Sequence, residues 1–281
     1  MSHERDVPFH LVPSFRQLVW ASSIGILTLA VIAWLLPSQY SATVLIVVLA
    51  AGAAAATALG CIALGRRRGP PTERDLVQIL GSPLLAVRPL REAALRGLCR
   101  QLLDHWLHSG RVLLPVVSAQ RGEGRTYLAA QLASAFAALG EKTLLIDGDF
   151  RSPALHAAFG VPNEGGLADF LAGKATNPVP VNENLALLVA GDGARRPLEL
   201  LGGERLRTLV TAAAKHFRVI VVDTPAAARG PDLEIFAALA TGALVVASQG
   251  SARPLARLRT ALGRCAAQPL AIVVNQRQSL A

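Results

Sequence analysis

The chain has 281 residues, 52% of them apolar and only 17% charged, with 28 Lys and Arg against 19 Asp and Glu for a formal net charge of +9. That balance excludes an intrinsically disordered chain, which needs low hydrophobicity and high charge. The basic excess comes without any run interleaved with aromatics, so solubility or attraction for anionic lipid is favoured over nucleic-acid binding.

Residues 1–16 form a short polar lead carrying Arg5 and Arg16. From Gln17 to Gly65 there is then no Asp, Glu, Lys or Arg. Gln17–Leu36 is long enough to cross a hydrocarbon core of roughly 30 Å, with Trp20 and Trp34 where interfacial indoles belong. Pro37 to Ser41 reads as a tight polar turn, and Thr43–Leu64 as a second, alanine-rich span ending at Arg66, Arg67 and Arg68. Gly52, Ala56 and Gly60 share one face of it, a stripe that lets two helices approach closely. Residues 17–65 are thus predicted to be a transmembrane hairpin, and the arginines at both ends place both termini in the cytoplasm. The competing reading, a cleaved signal peptide, fails on span length and on the second span that follows directly.

Residues 66–110 read as a linker and an oligomerisation-type helix, in which Glu92, Arg96 and Arg100 share one face. Residues 111–281 alternate short apolar runs with amphipathic stretches. Strands are predicted at Val112–Val117, Thr143–Ile146, Leu185–Val189, Val219–Val222, Ala243–Ala247 and Ala271–Val274. Helical patterns fall at Thr126–Leu139, Arg205–Lys215 and Pro254–Cys265. This order predicts an α/β domain with a parallel sheet covered on both faces. Pro115 is out of place in an inner strand, because it removes a ladder donor. Cys61, Cys99 and Cys265 are far apart and form no CxxC pair, which suggests neither a zinc site nor a disulfide.

Chemistry in such a sheet is expected at the carboxyl ends of the strands. There, Ser118-Ala119-Gln120-Arg121-Gly122-Glu123-Gly124-Arg125-Thr126 opens a helix, and its glycines would let backbone amides curl round phosphate oxygens. A phosphate loop ordinarily ends Gly-Lys-Ser/Thr; here Arg125 replaces the lysine, and Thr126 is placed to ligate Mg²⁺. Asp147 and Asp149 end the second strand and Asp223 the fourth. Any one such acid is more often a helix cap or turn former. Three of them beside a glycine loop favour a nucleotide site.

The string SAQRGEGRTYLAAQLASAFAALGEKTLLIDGDFRSPALHAAFG resembles the Walker A, helix and Walker A′ region of the bacterial tyrosine kinases, the BY-kinases of polysaccharide export. GLADFLAG, RRPLELLGGERLRTLV, VIVVDTPAA and a final Asn-Gln continue the likeness in order, and ILGSPLLAVRPLREAALRGL is similar to the linker of the Wzc-type co-polymerases. The resemblance implies a deviant-Walker, MinD/ParA-like P-loop ATPase domain that binds ATP and Mg²⁺. It implies nucleotide contacts from Gly122, Glu123, Gly124, Arg125, Thr126, Tyr127 and Asn275, metal contacts from Thr126, Asp147 and Asp223, and catalytic roles for Asp147 and Asp149. Arg125 would join the loop backbone in holding the β- and γ-phosphates.

The setting it implies is exopolysaccharide or capsule assembly at a bacterial inner membrane, beside a polysaccharide co-polymerase or chain-length protein and with self-association. Three departures stand out: Arg125 for lysine, no tyrosine cluster at the C-terminus, and a short turn in place of a periplasmic domain. Only Tyr40, expected to face the periplasm, and Tyr127, expected to be packed beside the loop, occur in the chain. The expected function is therefore an anchored, ATP-binding BY-kinase-like protein with weak or no autophosphorylation. A pseudokinase scaffold is the alternative. A positioning ATPase of the MinD/ParA type ranks last, because Gln120 stands where that class carries a signature lysine.

Overall fold

The computed structural model describes residues 73–82, 84–88, 92–107, 110–191, 197–248 and 252–275. Both predicted spans, Tyr40, Cys61 and residues 276–281 lie outside them. Among the described residues no helix is long and apolar enough to cross a membrane.

Eight strands make one sheet: β1 (Leu84–Arg88), β2 (Leu113–Ser118), β3 (Thr143–Asp147), β4 (Val179–Pro180), β5 (Leu185–Leu188), β6 (Val219–Asp223), β7 (Gly242–Ser248) and β8 (Gln268–Asn275). Their order is β1-β8-β7-β2-β6-β3-β5-β4. All neighbours are parallel except the short β4, which runs antiparallel to β5 at the edge. All six predicted strands are present. The stretch read as linker supplies a seventh parallel strand, β1, paired with β8. By its internal contacts the compact unit runs from Pro70 to Ala281.

Inner strands such as Val219–Asp223 are buried along their whole length, which is why they read as unbroken apolar runs. Successive side chains still go to opposite faces. Val219 and Val221 pack with α2 (Glu92–His105) and α3 (Arg125–Ala138). Ile220 and Val222 pack with α5 (Leu167–Leu171), α6 (Pro197–Leu201), α7 (Glu204–Ala213) and α8 (Asp232–Ala240). Further along that second face, α1 (Glu73–Leu80) and α9 (Ala252–Arg264) cover β7 and β8. Each buried Val, Leu or Ile contributes about 1.5–3 kcal/mol, offset largely by chain ordering. A short helix α4 (Leu155–Phe159) follows β3.

Pro115 has a structural explanation. It pairs with Val222 of β6, whereas the ladder between β2 and β7 begins only at Val116. Successive peptide groups in a strand face opposite neighbours, so the missing donor falls where the β7 ladder has not yet started.

Candidate functional site

Parallel register brings the acids together. Asp147, the last residue of β3, lies opposite Asp223, the last of β6, and Asp223 is also opposite Val116 of β2. Between them the backbone N–H of Gly148 donates to the Asp223 carbonyl at 2.8 Å. Beyond Val116 the chain leaves β2 at Ser118 and turns through the glycine loop into α3. Gly122 and Gly124 take φ of 73° and 88°, in the left-handed region where glycine is at ease. Gly124 is the N-cap of α3 and no side chain caps that helix. An uncapped helix start behind a glycine turn offers amide donors and the positive end of the helix dipole to an anion, which fits nucleotide phosphate.

The side chains of the loop are arranged otherwise than expected. Arg125 is only 8% exposed, and all three of its guanidinium nitrogens bond to protein. Nε donates to Asp223 Oδ1 at 3.0 Å, Nη1 to Ser118 Oγ at 2.8 Å and Nη2 to Asp149 Oδ2 at 3.1 Å. Two buried carboxylates thus compete with any phosphate for the guanidinium and hold it inside the site. Glu123 also turns inward. Its carboxylate accepts the N–H of Gln120 at 2.8 Å and the Ser248 hydroxyl at 3.2 Å, and burial raises its pKa. It braces the loop against the end of β7 rather than facing a ligand. Asn275, expected at the base, uses Nδ2 to donate to the Glu123 carbonyl at 2.9 Å, a second brace. Tyr127 is not packed: it is 58% exposed, with its hydroxyl accepting from Gln131 at 2.8 Å.

Of the acids, Asp147 takes the humbler of the roles weighed from sequence. Oδ1 accepts from Asp149 N at 3.2 Å, and Oδ2 from Ala154 N and Leu155 N at 3.1 and 3.0 Å, so it caps the start of α4 from outside. Burial nevertheless pushes its carboxyl up to about 6. Asp149 Oδ1 accepts from Arg151 N and Ser152 N, both at 3.1 Å. Asp223 is pushed up to about 7 by burial, against the pull of the Arg125 guanidinium and the Thr126 hydroxyl. For a divalent cation this donor set does not fit: Thr126, Asp147, Asp149 and Asp223 are bonded to one another, to backbone or to Arg125. Among the described residues no cluster of acidic, His or Cys side chains is open to a metal.

Sequence reasoning missed a second layer. Arg151 forms a forked pair with the buried Asp232 at 3.1–3.3 Å, and Arg229 donates to the Ser152 hydroxyl. These contacts tie the loop after β3 to the loop after β6. Asp232 sits just after Gly230-Pro231, and nothing local marks it as the partner of Arg151, 81 residues away.

No protein-family model matches the chain. It is 29% identical over 169 residues to the putative tyrosine-protein kinase CapB of Staphylococcus aureus, covering 58% of this chain and 74% of that one. Tyrosine-protein kinase YwqD of Bacillus subtilis is 32% identical over 166 residues, or 57% of this chain and 70% of YwqD. The succinoglycan biosynthesis transport protein ExoP of Rhizobium meliloti is 34% identical over 145 residues, 49% of this chain but only 18% of ExoP. Among solved structures, the chimerical protein CapA2B2 superposes with a TM-score of 0.66 at 25% identity, covering 73% of this chain and 98% of the chimera. With its glycine loop, its strand-end acids and two thirds or more of YwqD matched, the chain belongs to the bacterial tyrosine-protein kinases of the CapB and YwqD type.

Proposed function

We propose that this chain is a nucleotide-binding protein of polysaccharide assembly, anchored by the Gln17–Gly65 hairpin with both termini cytoplasmic, whose phosphotransfer to itself is weak or absent. The observation that carries the reading is the glycine loop and uncapped start of α3 beside three strand-end acids. The likeness to ExoP supports the polysaccharide setting. Bound ATP would supply the phosphoryl group. The loop amides would orient its phosphates, Glu123 and Asn275 would keep the loop in shape, and Asp149 is the residue that would take a proton from an acceptor hydroxyl. That last role is hindered here, because Asp149 Oδ2 already accepts from Arg125. The same bond favours the second reading, a pseudokinase that binds nucleotide as a scaffold.

The partner follows from the predicted hairpin. Its turn is too short for a periplasmic domain, so a separate chain-length protein would supply one. The α2 face, where Arg96 pairs with Glu92 at 3.1 Å beside Arg100, would serve self-association. Calorimetric titration of the full chain with ATP and ADP tests the central claim. Saturable binding is expected, with loss in Gly124→Val, whose side chain cannot adopt the required turn. A folded chain that binds neither nucleotide defeats the reading. Phosphotyrosine accumulating on the purified chain would defeat the claim of weak autophosphorylation.

A further inference from the structure

The guanidinium of Arg125 lies between the carboxylates of Asp149 and Asp223, bonded to one oxygen of each. Those side chains are 6% and 1% exposed and the arginine 8%, so the trio is shielded from water. The two acids come from the ends of neighbouring strands, and their negative charge requires a cation between them. An ammonium on a flexible stem is a point charge that can swing toward a ligand. A guanidinium is planar and bonds through separate nitrogens in fixed directions. Here each nitrogen has its own acceptor, Asp223, Ser118 and Asp149. Displacing it would expose all three acceptors and strand a buried positive charge.

We propose that Arg125 is the resident cation of this site, occupying the position a divalent metal would take between Asp149 and Asp223, so that the site excludes such metals. The residue that departs from the lysine of ordinary phosphate loops thereby sets the cation preference of the site. The proposal does not need nucleotide to bind. If nucleotide does bind, its affinity is indifferent to Mg²⁺.

The test is Mn²⁺ titration of the nucleotide-free full chain, following the free-ion paramagnetic resonance signal and the thermal midpoint together. Wild type should show no saturable binding and no shift of midpoint up to about millimolar Mn²⁺. Arg125→Ala should gain a site about tenfold tighter or better, with a midpoint that rises only when Mn²⁺ is present. Should that variant not fold, Arg125→Lys keeps the charge, loses the three-way bridge and is expected to gain Mn²⁺ binding too. Wild-type binding that Asp149→Asn or Asp223→Asn removes overturns the proposal. So does the absence of any gain in both arginine variants. A fluorescent ATP analogue gives the second arm. Its affinity for wild type should differ by less than about threefold between EDTA and Mg²⁺, and a tenfold or greater weakening in EDTA overturns the proposal. No analogue binding in either buffer defeats the nucleotide-binding reading, and the Mn²⁺ arm still decides this one.

Discussion

At the scale of single residues, the balance of charge among Arg125, Asp149 and Asp223 governs both stability and chemistry. Removing one partner of a buried pair strands the other, so Arg125→Ala should lower unfolding free energy by about 3–5 kcal/mol in denaturant titration. A loss inside the range of an ordinary surface substitution would mean that the guanidinium is not committed as described. The raised carboxyls give a pH dependence of defined sign. Asp147 and Asp223 move from 3.8 to about 6 and about 7. Across that window the folded chain retains protons that the unfolded chain has released, so their contribution to stability falls as pH rises and levels off above about 7. Urea midpoints compared between pH 5 and pH 7.5 should therefore fall more in wild type than in Asp223→Asn. An equal or smaller fall in wild type would contradict the burial assigned to Asp223. The location of Arg125 was not legible beforehand, because its two acidic acceptors are 24 and 98 residues away in the chain. That Asp223 ends a strand was legible, since four apolar residues precede it without a break.

Among the elements, the turn that leaves β3 between Asp147 and Asp149 has little room. A Cβ on Gly148 would lie 2.8 Å from the Asp223 carbonyl oxygen and 2.8 Å from the Phe236 ring. Backbone on one side and a buried ring on the other leave no easy relief. Gly148→Ala should cost about 1–3 kcal/mol and disturb both Asp147 and Asp149, seen as a lower thermal midpoint together with weaker nucleotide binding. An unchanged midpoint would refute the close approach. The elements that sequence revealed were those with a strong local signature, such as the buried runs of β2, β3, β6 and β7. β1 falls in the stretch that reads as linker by its resemblance to the Wzc-type co-polymerases, and Pro83 and Pro89 flank it with break signals. Its partner β8 lies far along the chain, Leu84 pairing with Ile272 and Arg88 with Asn275, and pairing across such a span leaves no local pattern.

For the molecule as a whole, the loop's shape depends on strands that arrive late in the chain. Asn275→Ala should remove one brace, at a cost of about 0.5–1.5 kcal/mol, and loosen the loop enough to weaken nucleotide binding. Equal binding by variant and wild type would show that Glu123 and Ser248 suffice. The ties that hold the loop span 98 residues to Asp223, 125 to Ser248 and 152 to Asn275. On a ribosome adding about 5–20 residues per second, the glycine turn emerges roughly 8–30 seconds before the last of those partners. Its arginine meets Asp223 only after 98 further residues, and its glutamate grips Ser248 only after 125. A growing chain thus cannot display a finished phosphate cradle, and ligand selection begins only when the eighth strand has docked.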